Sequence, residues 1–97
     1  MPMTWFAVET RYTEDRDRLL ATRPRHREYL VGLAERGAVL AGGPFSDDKS
    51  GFAVYRVTDR TELDQLLADD PYTIEGIAAG REVREWRITL GPWADPQ

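Results

Sequence analysis

Apolar and polar positions alternate at the start of the chain. Over Trp5 to Arg11, Phe6, Val8 and Thr10 fall on one side of an extended segment and Trp5 and Ala7 on the other, which predicts a first strand. The polar run Tyr12 to Arg18 ends it, with a short helical turn possible over 14–20. The spacing then becomes helical. His26, Tyr29, Leu30 and Leu33 recur at three- and four-residue steps beside Ala34. Thr22 is the candidate N-cap, Pro24 lies just inside, and Gly37 is the left-handed cap after Glu35 and Arg36. This places His26 about one turn into the first helix.

Ala38 to Ala41 reads as a short strand broken by Gly42-Gly43-Pro44, and Ser46 to Gly51 as an exposed hairpin loop. Phe52 to Val57 is the return strand, apolar on both faces. Thr58 or Asp59 caps a second helix with a buried stripe of Leu63, Leu66 and Leu67. That helix stops by Asp69 or Asp70, because Pro71 disfavours helical backbone in the residue before it. Tyr72 to Ala79 is read as a further helical turn closed by Gly80. Glu82 to Leu90 is the last strand, with Trp86, Ile88 and Leu90 on one face, and Gly91 to Gln97 a tail.

The order β-α-β-β-α-β predicts one α+β domain over residues 1–97, with its core at about 4–90: a ferredoxin-like sandwich whose antiparallel sheet packs one face on both helices. The first and third strands are apolar on both sides, at Trp5, Ala7, Phe52, Val54, Tyr55 and Val57. A homodimer through the sheet face away from the helices is therefore expected.

Composition narrows the function classes. The 97 residues carry a net charge of −4, which argues against a nucleic-acid binder. The arginines between Arg11 and Arg36 alternate with acids, as on a solvated, salt-bridged helix face. There is no Cys and one His, so a disulfide framework, a thiolate metal site and a Cys nucleophile are excluded. No metal or other cofactor is expected. No apolar run suits a signal peptide or a membrane span, and a cytoplasmic location is expected.

His26 is the one side chain whose ordinary charge change falls near neutral pH. In the expected topology the two helices run in opposite directions, so the start of the first and the end of the second share one end of the layer. That brings Asp70 towards His26, and Gly42, Gly43 and Pro44 to the same end. A carboxylate beside an imidazole fixes its tautomer and stabilises its protonated form, leaving the second ring nitrogen to move a proton. Gly42 and Gly43 let a ligand approach the backbone. Arg23 or Arg25 can hold a carboxylate or enolate, and Tyr72 offers a hydroxyl or an aromatic wall. Each residue also has a plain structural reading. His26 can be a satisfied core histidine, Asp70 an N-cap before Pro71, Gly42-Gly43-Pro44 a strand terminator, the arginines solvated, and Trp86 core.

The pattern Arg23-Pro24-x-His26-x-x-Tyr29-Leu30, then Gly37-x-x-x-x-Gly42-Gly43-Pro44, then Asp70-Pro71-Tyr72 with Gly76, resembles the YciI-like family of YCII-related domains. The opening Trp5-Phe6-Ala7-Val8 and the closing Val83-x-x-Trp86 fit it as well. The resemblance implies a ferredoxin-like fold that dimerises into an α+β barrel, and a site built on a His–Asp pair, here His26 and Asp70. It also implies chemistry such as removal of chloride from a chlorinated hydroxyquinone. Two functions follow as expectations. One is a small cofactor-free enzyme using His26 and Asp70 for elimination, dehalogenation or isomerisation of a small polar or aromatic substrate. The other is a non-catalytic dimeric module that binds a small ligand or a protein.

Overall fold

The computed structural model describes residues 2–94. Its elements are β1 (Thr4–Tyr12), α1 (Arg16–Glu35), β2 (Val39–Pro44), β3 (Ser50–Val57), α2 (Arg60–Ala68), α3 (Pro71–Ile74) and β4 (Ala78–Glu85). The strands form one antiparallel sheet in the order β2-β3-β1-β4, the ferredoxin-like arrangement expected. Register sorts the side chains. Phe6 stands opposite Tyr55, and Val8 opposite both Ala53 and Val83. These face the helices, where Phe6, Val8, Val39, Tyr55 and Val57 pack on Leu33, Leu63, Leu66 and Leu67. Each fully buried Leu or Val in such a core contributes roughly 1.5–3 kcal/mol.

Alternation puts Trp5, Ala7, Phe52 and Val54 on the other face, together with Glu9, Arg56, Glu82 and Arg84. Tyr55 and Val57 do not belong there, since both lie in the helix-side core. The outer face is thus more mixed in polarity than the sequence pattern suggests.

Three element boundaries differ from expectation. First, α1 begins at Arg16 rather than near Pro24. Asp15 is its N-cap, accepting from the Arg18 N–H at 3.2 Å. Thr22 is no cap: it is buried inside the helix, and with Leu19 it extends the inward stripe toward the N-terminus. Pro24 sits mid-helix, where it has no N–H to give the carbonyl of Leu20. Second, Gly42-Gly43-Pro44 continues β2 instead of breaking it. The edge position explains why Pro44 is tolerated, because an edge strand is paired on one side only. Third, α3 is a single short helix closed by Gly76 at φ 71, and β4 ends at Glu85. Trp86, Ile88 and Leu90 alternate like strand residues, but β1 runs out of partners: Glu85 already pairs with Phe6, and only the Trp86 N–H reaches on to Trp5. Trp86 is exposed rather than core. Of the expected tail, Gly91–Ala94 forms a turn, and residues 95–97 lie outside the described residues.

Pro24 generates a stability prediction. Pro24→Ala restores a backbone donor inside α1 and should raise the unfolding free energy by up to about 3 kcal/mol. Urea denaturation measures it; an unchanged or lower midpoint means that the helix depends on the proline.

Candidate active site

The site is built by a second, smaller core. Leu19 of α1 packs with Tyr72 of α3 and Ile77, and Tyr12 closes over them. This contact lays α3 along the middle of α1. Asp70, at the N-terminus of α3, therefore comes beside His26, which lies near the midpoint of α1 rather than one turn from its start. The two meet: His26 Nδ1 is 2.7 Å from Asp70 Oδ1.

Asp70 is 1% exposed, and both of its oxygens are used. Oδ1 accepts from the Tyr72 backbone N–H at 2.9 Å as the α3 cap, and Oδ2 faces Arg81 Nη2 at 3.5 Å. The α3 cap and the contact with His26 thus share one carboxylate oxygen. A carboxylate only accepts, so its short contact assigns the ring hydrogen to Nδ1 and leaves Nε2 with a lone pair. Tyr72 stacks on the imidazole, with ring centroids 3.7 Å apart and planes 2° from parallel. Its hydroxyl accepts from Arg23 Nε at 3.1 Å.

His26 opens onto a cavity of about 420 Å³ between α1 and the β2 side of the sheet. Arg23, His26, Gly42, Gly43, Pro44, Asp70 and Tyr72 all line it. The backbone at Gly42 passes close to the next strand: a Cβ there would lie 3.2 Å from that of Ala53, tighter than an ordinary contact. Arg25 does not line the cavity; it borders a shallow groove with Glu28 and Tyr29.

Sequence reasoning missed four contributors. Arg81 fastens β4 to the site through Asp70, Thr10 Oγ1 at 3.1 Å and Thr73 Oγ1 at 2.5 Å. Tyr12 and Arg27 line the cavity. Burial, aided by the neighbouring Tyr72, pushes the Tyr12 hydroxyl up to about 12, so it stays protonated and can donate. Asp48, in the β2–β3 hairpin with φ 57, folds back onto α1. Arg23 clasps its carboxylate with two bonds of 3.1 and 2.8 Å, and Arg16 adds one of 2.7 Å. The hairpin is therefore not a free surface, and the Arg23 guanidinium is occupied. No spacing rule joins positions 23 and 48; only their opposite charges hint at a pairing. Among the described residues no three His, Asp or Glu side chains converge to hold a metal ion.

The Arg23 clasp, followed by that of Arg16, holds the Asp48 carboxyl below its ordinary value of 3.8, at about 2. A group lowered on folding stabilises the native state fully above its ordinary pKa and loses that effect as pH falls through the folded value. Thermal melts at stepped pH should show Asp48→Asn less stable than wild type at neutral pH. The gap should close between about 4 and 2. A gap that does not change with pH means that the Asp48 charge contributes nothing.

Comparison with known proteins bears on the fold and the family. The chain adopts the fold of 5-chloro-2-hydroxyhydroquinone dehydrochlorinase from Burkholderia phenoliruptrix AC1100, whose structure is known in complex with 2,5-dihydroxybenzoquinone. The two share 21% identity and a TM-score of 0.75, over 94% of this chain and 99% of that one. No curated protein matches the sequence. The model of the YCII-related domain matches residues 3–87, nearly the whole chain, and the protein belongs to that family.

Proposed function

We propose that the protein is a small acid–base enzyme in which His26 Nε2 takes a proton from a small polar ring substrate and Asp70 orients the imidazole. The carrying observation is the 2.7 Å contact between Nδ1 and a buried carboxylate in a ring that lines a cavity. Tautomer and ring plane are held from two sides, by Asp70 and by the stacked Tyr72, so Nε2 needs little reorganisation to act as a base. The cavity volume suits one substituted ring.

The similarity in fold to a dehydrochlorinase supports elimination of HX as the reaction type. The halogenated hydroxy ring first ketonises, one hydroxyl proton moving to the carbon that bears the halogen. Nε2 then removes a second hydroxyl proton, whose O–H electron pair becomes a C=O bond. The displaced π pair forms a C=C bond to the halogen-bearing carbon, and the carbon–halogen pair leaves with the halide. The imidazolium then returns its proton to water. The step consumes no metal, oxidant or reductant.

Chloride release from 5-chloro-2-hydroxyhydroquinone, followed with a halide electrode, tests this reading. His26→Asn should lower the rate by about 10²–10⁴-fold while the fold persists. Asp70→Asn should also slow it and should change the tautomer seen in the ring ¹⁵N shifts, because an amide can donate to Nδ1. Wild-type rates in His26→Asn, or no release by wild type above the uncatalysed rate, would sink the proposal.

We also propose a homodimer through the outer sheet face. Trp5, Ala7 and Phe52 on that face support it, Phe52 being 36% exposed. Sedimentation velocity at micromolar protein should give a dimer, and Phe52→Glu should shift it toward monomer. A wild-type monomer refutes it.

A further inference from the structure

Three arginines line the cavity, and their partners differ. Arg23 is clasped by Asp48 and bonded to Tyr72. Arg81 is tied to Asp70, Thr10 and Thr73. Arg27, one turn after Arg23 on the same stripe of α1 and next to His26, pairs with no carboxylate among the described residues. Asp48 is itself shared between Arg16 and Arg23, so positive charge exceeds negative around the cavity.

A neutral donor lies near that cation. The Tyr12 hydroxyl is held over Gly51 and makes no hydrogen bond to another described residue; a Cβ at position 51 would collide with it. Both groups line the same cavity. Arg27 and Tyr12 are thus a charged donor and a neutral donor without acceptors among the described residues, on the rim of a cavity walled by Leu30, Val39 and Ala53.

We infer that Arg27, assisted by the Tyr12 hydroxyl, anchors the anionic end of the ligand, and that the ligand is a small monoanion with a flat apolar body and a carboxylate or ionised hydroxyl at one end. A guanidinium without an acceptor binds such a group by paired charge-assisted hydrogen bonds. The flat body then lies along the apolar wall toward His26. This deepens the acid–base reading and rests on it for the cavity being the ligand site. Arg27 is a specificity-determining residue rather than part of the proton-transfer pair.

The test uses benzoate and its neutral isostere benzamide, titrated into ¹⁵N-labelled protein and followed at the amides of Gly42, Gly43 and Gly51. Wild type should bind benzoate about tenfold more tightly than benzamide, in keeping with a hydrogen bond to a charged group. Arg27→Gln should abolish that preference, Arg27→Lys should keep part of it, and Tyr12→Phe should weaken benzoate alone. Added salt should weaken benzoate more than benzamide. His26→Asn, which removes the proposed base, should leave the preference in place, so failure of the acid–base reading and failure of the anchor give different results. Equal binding of the two probes by wild type, absence of benzoate binding in millimolar titrations, a preference that survives Arg27→Gln, or its loss in His26→Asn each overturns the inference.

Discussion

One buried carboxylate organises this protein. Placing Asp70 at 1% exposure would be prohibitive if it stood alone, because an unpaired charge away from water is strongly disfavoured. It is tolerated because three parts of the chain converge on it: the Tyr72 N–H of α3, the His26 imidazole of α1 and the Arg81 guanidinium of β4. Each contact is also a constraint. The first starts α3, the second sets how α3 lies along α1, and the third draws β4 toward the same corner. The geometry around His26 is therefore a consequence of satisfying Asp70.

A second chain of contacts fixes what Asp70 leaves free. Asp70 determines which imidazole nitrogen carries hydrogen but allows the ring to rock about that bond. The near-parallel Tyr72 ring removes this freedom. Tyr72 is held in turn by Leu19 and Ile77 beneath it and by Arg23 at its hydroxyl, and Arg23 is locked by Asp48. The β2–β3 hairpin thereby reaches the imidazole through three side chains, Asp48, Arg23 and Tyr72. Such rigidity suits the proposed base, because proton transfer tolerates little error in heavy-atom distance.

Much of this was legible in the sequence, and the failures have definite physical causes. The Leu63, Leu66 and Leu67 stripe, the strand alternation and the Ser46–Gly51 turn signals are local, and they led to the correct topology. Topology also brought His26 and Asp70 together, although through a wrong premise about where α1 begins. The pairing survives because α3 folds back along α1, so Asp70 meets the middle of the helix instead of its end. The true start was obscured because Pro24 imitates a first-turn proline, while the cap at Asp15 stands in a polar run without apolar spacing. Trp86, Ile88 and Leu90 read as strand because alternation cannot reveal that the neighbouring strand has ended. Asp48 with Arg23, and Arg81 with Asp70, are long-range charge pairs in a chain rich in both signs, and periodicity carries no information about them.

Asp48 engages two arginines, whereas Asp70 divides its oxygens between an arginine and the imidazole. Arg81, which meets the second Asp70 oxygen, comes from β4 and is braced by Thr10 of β1 and Thr73 of α3. In a chain with one histidine and no cysteine, the proposed proton transfer has this imidazole alone to serve as acceptor and then as donor. The arginine that completes the surroundings of its carboxylate lies on a different layer from α1 and α3. The setting of the pair therefore depends on the closed sheet and not on the α1–α3 contact alone.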